Sequence, residues 1–155
     1  MEILNDFQTS IRRALEEIDP EYEKYDGLVI CGTHAPHDTE MMIEKIKEAR
    51  ETKRPALLIC FGHQLGAIEC ARNVLGIKDA TSEEFGKTGT FVVKKRPELK
   101  VGLHEGESWW SNYEVDMNYQ WPSWFISVPY HPEYESSKEK PHRLLVKFIS
   151  ICKNV

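Results

Sequence analysis

Hydrophobic positions in the first half of the chain alternate between helical and strand-like spacing. Phe7, Ile11, Leu15 and Ile18 recur at helical intervals in "DFQTSIRRALEEI", and "DPEY" closes that segment. "DGLVICG", Asp26 to Gly32, is a short β-branched run ending in glycine, as expected of a parallel strand buried on both faces. After a histidine-containing loop, Asp38 or Thr39 can cap a helix that turns Met42, Ile43, Ile46 and Ala49 inward. "RPALLIC" is a second buried strand. "GHQLGAIECARNVLG" is a helix with Leu65, Ile68, Ala71 and Leu75 on one stripe and Gly76 as its stop.

Strand, helix, strand and helix thus follow one another from Asp26 to Gly76, the order of a parallel sheet covered by helices. The stretch from Gly86 to Trp121 reads differently. "TFVVKK" and "LKVGLH" look like two short antiparallel strands around Pro97, and the aromatic segment after them has no clear period. "WFISVPYHPEY" is a strand entering a proline-bounded loop, and "PHRLLVKFISIC" is a closing helix with Pro141 near its first turn. The expected fold is a three-layer α/β/α domain over residues 1–155, with a mostly parallel sheet and a small antiparallel addition in residues 86–121.

Composition narrows the function classes. At 155 residues and 41% hydrophobic the chain suits one core rather than two. The net charge of −5 and the absence of a long Lys/Arg block argue against nucleic acid as a partner. No apolar run reaches the roughly 18 residues of a membrane span, so no membrane partner is expected. "MEILNDFQTS" lacks the basic start and apolar core of a signal peptide. Cys31, Cys60, Cys70 and Cys152 show no CxxC spacing, which reads as reduced thiols and a cytoplasmic location. Neither a cofactor nor a metal is expected: His34, His37 and His63 could converge near Cys60, but no carboxylate pattern accompanies them. Trp109, Trp110, Trp121 and Trp124 are read first as a cover over the core, and "KEARETKR" and "KKRPELK" as solvated faces.

In open α/β sheets working residues gather at the carboxyl ends of the strands. Three such ends are legible: Cys31 to His34, Cys60 to Gly62, and Pro129 to Glu133. A cysteine closing an apolar strand is usually inert core filling. A thiol on a sharp strand-to-helix turn differs, because the helix N-terminus favours the thiolate and the next backbone N–H can meet an oxyanion. Such a nucleophile needs a histidine and a carboxylate that orients it, and His131 and Glu133 alternate on one extended segment.

"ICFGHQLGAIECARNVLGIKDATSEEF" resembles the nucleophile segment of class I glutamine amidotransferases, most closely the glutaminase domain of CTP synthases. "SVPYHPEYESS…KPH" is similar to the family's histidine–glutamate ending, and "YDGLVICGTHA" to its oxyanion loop. The resemblance implies a flavodoxin-like fold, with Cys60 as nucleophile, His131 as general base and acid, and Glu133 orienting it. It also implies an oxyanion hole from the N–H groups of Thr33 and Phe61. The substrate would meet Gly32, His34, Gln64, Glu84, Asn112 and Tyr113, with Glu84 suited to an ammonium group. The implied reaction attacks the γ-carboxamide of glutamine or a related γ-glutamyl amide, passes through a thioester and releases ammonia.

The chain departs from the family at informative places. Thr33 replaces the second glycine of the oxyanion loop, Leu58 replaces a glycine two before the nucleophile, and Asn112 replaces an arginine that pairs with the substrate carboxylate. Losing that pair would cost about 2–3 kcal/mol, unless Lys94, Lys95 or Arg96 takes over. No P-loop motif occurs, so a synthase or ligase using the ammonia would be a separate protein. Two readings stay open: an active amidohydrolase, and a catalytically impaired module that binds or regulates.

Overall fold

The sheet at the centre is built from short runs of Leu, Val and Ile with no polar face, so it must be covered on both sides. The computed structural model describes residues 1–104 and 107–155, and side chains outside 98–111. Element order is β1 (Glu2–Leu4), α1 (Gln8–Ile18), β2 (Leu28–Ile30), α2 (Thr39–Thr52), β3 (Ala56–Ile59), α3 (Phe61–Asn73), β4 (Ala80–Ser82), β5 (Thr90–His104), β6 (Glu107–Val115), β7 (Phe125–Val128) and α4 (Arg143–Lys153). Strands β1, β2, β3 and β7 form a parallel sheet in that order.

Alternation along these strands makes the three layers. Ile3, Val29, Leu57 and Ile126 pack with α1 and α4, whereas Leu28, Ile30, Leu58 and Phe125 pack with α2 and α3. The α/β/α expectation therefore holds. Because β1, β2 and β3 are consecutive in the sheet while α1 and α2 cover opposite faces, their two crossovers have opposite hands. One of them runs against the usual right-handed rule. Only a short 3-10 turn, Tyr22–Lys24, lies between α1 and β2.

Several local expectations need correction. β1 carries too few residues to show a period and was not foreseen. The two strands expected around Pro97 are one strand, β5, which crosses the proline by a register shift between Lys95 and Lys100. Its antiparallel partner is β6, the aromatic segment without clear period, while β4 adds in parallel, so the small sheet is mixed. Phe7 is the N-cap of α1 rather than part of its stripe. Asp38 stands at the N-cap of α2 in left-handed conformation, but its carboxylate meets His37 instead of capping. Leu75 lies beyond α3 and is exposed; Gly76 does stop the helix, at φ +76°.

The first basic run, "KEARETKR", is not a plain solvated face either, while Glu98 to Lys100 of "KKRPELK" lie outside the described side chains. Arg50 makes bonds of 2.8–3.1 Å to Glu69, a fully buried carboxylate on α3, and Arg54 bridges Asp26 and Glu2. Trp121 lies over the α3 side, stacked near Phe125, and Trp124 packs against the same core; Trp109 and Trp110 lie outside the described side chains. None of Cys31, Cys60, Cys70 and Cys152 is in a disulfide. Among the described residues no helix is long and apolar enough to cross a membrane.

Candidate active site

Cys60 follows β3 directly and is the N-cap of α3, with φ +52° and ψ −102°. A non-glycine residue in that region is strained by about 1–3 kcal/mol, and such strain concentrates where a side chain must be displayed. The turn is sharp because α3 starts almost against β2. A Cβ on Gly62 would stand 2.3 Å from the Ile30 carbonyl oxygen, so only glycine fits there. The Cys60 N–H is tied to Val128 O at 2.9 Å, which fixes the elbow against β7.

β7 leads through Pro129 and Tyr130 to His131, which begins a 3-10 turn containing Glu133. His131 Nδ1 donates to Glu133 Oε1 at 2.8 Å, and both side chains are buried. The Tyr134 ring stacks on the imidazole at 4.7 Å. Burial opposes protonation of His131, but hydrogen bonds to Cys60 and Glu133, and the charges of both, outweigh it and push its pKa up to about 9. Gly32 makes room for this contact. A Cβ there would lie 3.0 Å from His131 Cε1 and 3.7 Å from Cys60 Cβ.

These groups open into a cavity of about 230 Å³ lined by Phe7, Thr33, His34, Cys60, Phe61, Gln64, Glu84, Asn112, Tyr113 and His131. Of the residues expected to act, Cys60, His131, Thr33, Phe61, His34, Gln64, Glu84, Asn112 and Tyr113 line this cavity, while Glu133 bonds His131 and Gly32 lies against it. Thr33 keeps a negative φ, so its side chain brings no backbone strain. Its hydroxyl bonds the Asp6 carboxylate and receives Ala35 N–H at 3.0 Å. Asp6 is also reached by His37 at 3.1 Å, which takes His37 away from Cys60. Glu84 is raised in pKa by burial, partly offset by a hydrogen bond from Gln64, and its Oε2 has no hydrogen-bond partner among the described residues.

A second cavity, of about 180 Å³, adjoins the first and shares Cys60, Gln64 and Tyr113 with it; His63 and Arg96 also line it. His63 bonds Ser127 Oγ at 2.7 Å, and burial pushes its pKa down to about 4, so it is neutral at physiological pH. Thus His34 and His63 line separate cavities that both include Cys60, whereas His37 is held by Asp6 and Asp38. Sequence reasoning passed over Asp6, Phe7 and Tyr134. Nothing in their local pattern sets them apart, because the long-range fold brings them to the site.

The "Glutamine amidotransferase class-I" family profile matches residues 5–119. The CTP synthase of Bdellovibrio bacteriovorus is 30% identical over an alignment 184 positions long, covering 81% of this chain and 34% of its own. That of Brucella ovis is 29% identical, covering 86% and 36%. The chain thus spans about a third of the length of these relatives. A solved structure, the glutaminase domain of Trypanosoma brucei CTPS with bound acivicin, superposes with a TM-score of 0.78 at 18% identity, covering 98% of this chain and 92% of that one.

Proposed function

Since the chain belongs to the class I glutamine amidotransferase family, we propose that it is a cysteine-dependent amidohydrolase acting on the γ-carboxamide of glutamine or a related γ-glutamyl amide. The observation that carries this reading is the buried His131–Glu133 pair, joined at 2.8 Å and hydrogen-bonded to a strained Cys60. A module that only binds has no physical use for that arrangement.

Cys60 passes its proton to His131 and attacks the γ-carbonyl carbon through sulfur. Glu133 keeps the Nδ1–H side of the imidazole fixed, so Nε2 faces the thiol. The carbonyl π electrons move to oxygen, and the N–H groups of Thr33 and Phe61, both at the cavity wall, hold that oxyanion. The tetrahedral adduct collapses to a γ-glutamyl thioester as the C–N bond breaks, and the imidazolium gives its proton to the leaving nitrogen, releasing ammonia. Water, deprotonated by the same imidazole, then attacks the thioester and frees glutamate and the thiol.

Glu84 and Gln64 suit an ammonium group: a buried carboxylate oxygen without a partner is stabilised when a cation enters. Asn112 is an uncharged donor at the rim. The ammonia passes to a synthase or ligase, or to solvent. Ammonia release from glutamine and a small panel of γ-glutamyl amides, with Cys60→Ala as blank, tests the reading. Release that depends on Cys60 supports it; none from any amide overturns it.

A further inference from the structure

The turn between β1 and α1 clasps the loop that follows β2, residue against residue. Asn5, in left-handed conformation at φ +76°, donates from Nδ2 to the Cys31 carbonyl at 3.0 Å. Phe7 N–H donates to the Gly32 carbonyl at 3.3 Å, and the Phe7 ring meets the His34 ring edge-on at 4.9 Å. Between them Asp6 accepts the Thr33 hydroxyl. His37 holds Asp6 from the far side at 3.1 Å and is itself held by Asp38. Hydrogen bonds from Thr33 and then from His37 keep the Asp6 carboxyl below the usual carboxylate range. It is therefore an anion at neutral pH and a strong acceptor.

These contacts fix one peptide unit in particular. In a trans peptide the C=O and N–H point opposite ways, so a Gly32 carbonyl aimed at Phe7 turns the Thr33 N–H away from the start of α1. Thr33 also forms part of the cavity wall beside Cys60. Reversing the unit would carry φ of Thr33 toward positive values, which a β-branched residue resists and a glycine does not. It would also drag a side chain tied at two points, donating to Asp6 and accepting Ala35 N–H at 3.0 Å.

A loop with glycine at both positions can present either its N–H or its carbonyl to the nucleophile. Here one arrangement is built in. We propose that Asp6 is a positioning residue for the reaction at Cys60: through the Thr33 hydroxyl it holds the Gly32–Thr33 peptide with its N–H toward the nucleophile, so the oxyanion hole is formed before substrate arrives. The inference rests on the amidohydrolase reading, whereas the rigidity of the loop has a readout that needs no turnover.

Amide-nitrogen NMR relaxation reports that rigidity, and steady-state ammonia release reports its use. The Thr33 amide order parameter should be about 0.85 in the wild type and fall below about 0.6 in Asp6→Ala, with the Phe61 amide unchanged. In the same variant kcat should fall about tenfold while KM stays within about twofold, because the oxyanion exists only after attack. Asp6→Asn, which still accepts the hydroxyl, should stay within about threefold of the wild type. Thr33→Val should cost about as much as Asp6→Ala, and the double variant no more than either; Thr33→Val also serves if Asp6→Ala does not fold. A Thr33 amide equally rigid in Asp6→Ala, a loss confined to KM, or additive losses overturns the assignment. A loosened Thr33 amide, with no ammonia released by the wild type, upholds the clasp and sinks the amidohydrolase reading. Cys60-dependent hydrolysis indifferent to Asp6→Ala does the reverse.

Discussion

Leu58 fills the space that a side chain at Gly66 would occupy: a Cβ on Gly66 would lie 2.7 Å from Leu58 Cδ1. The leucine that stands where the family has a glycine is thus seated between β3 and α3, fully buried, and leaves the Cys60 elbow intact. Trp121 closes the same pocket, 2.8 Å from that Cβ position. Gly66→Ala should destabilise the fold by about 1–3 kcal/mol despite the better helix propensity of alanine. Leu58→Ala combined with it should be less harmful than the sum of the two single changes. Urea denaturation of the four proteins checks this; strict additivity would mean the residues do not share the space.

Gly32 separates His131 from the oxyanion loop by the width of a missing methyl. Gly32→Ala should push the imidazole off Cys60 and lower kcat by about 10- to 100-fold. Substrate-independent stability should change by less than about 1 kcal/mol, since the Phe7 and His131 rings at 3.0–3.1 Å can give way. Steady-state ammonia release together with thermal melts separates the two effects.

Thr33 carries no positive φ, so restoring the family's glycine there relieves nothing. Thr33→Gly instead removes the hydroxyl tied to Asp6 and Ala35 and frees the loop. Activity is expected to fall about tenfold, and Thr33→Ser, which keeps the hydroxyl, should retain most of it. A rise in kcat for Thr33→Gly would show that the loop needs glycine after all.

His131 titrates above an ordinary histidine because Cys60 and Glu133 face it, from about 6.5 to about 9. Cys60→Ala and Glu133→Gln should each bring the pKa down, which NMR of the imidazole follows directly. The same shift has a stability consequence. A folded pKa above the unfolded one stabilises fully below pH about 6.5, and that stabilisation is lost as pH rises through about 9. The stability gap between wild type and His131→Gln should therefore narrow across that window.

The parallel core was legible because its strands are apolar runs and its helices keep a stripe. Cys60, His131 and Glu133 were legible because each sits within a short motif. β1 escaped, since three residues carry no period. β5 was split in two because Pro97 interrupts the pattern, although the ladder crosses it by shifting register. Arg96 looked like one basic residue among neighbours; only the strand geometry separates it from Lys94 and Lys95. Leu58 looked like an obstacle because its remedy, Gly66, lies on another element.

The central claim is that Cys60 is an activated nucleophile, and covalent trapping tests it most directly. Incubation with a chloroketone analogue of glutamine, followed by digestion and mass spectrometry, should find the label on Cys60. Cys31, Cys70 and Cys152, all buried, should stay unmodified, and His131→Ala should slow the labelling. An unmodified Cys60, under conditions that fully label a control amidotransferase, would contradict the account.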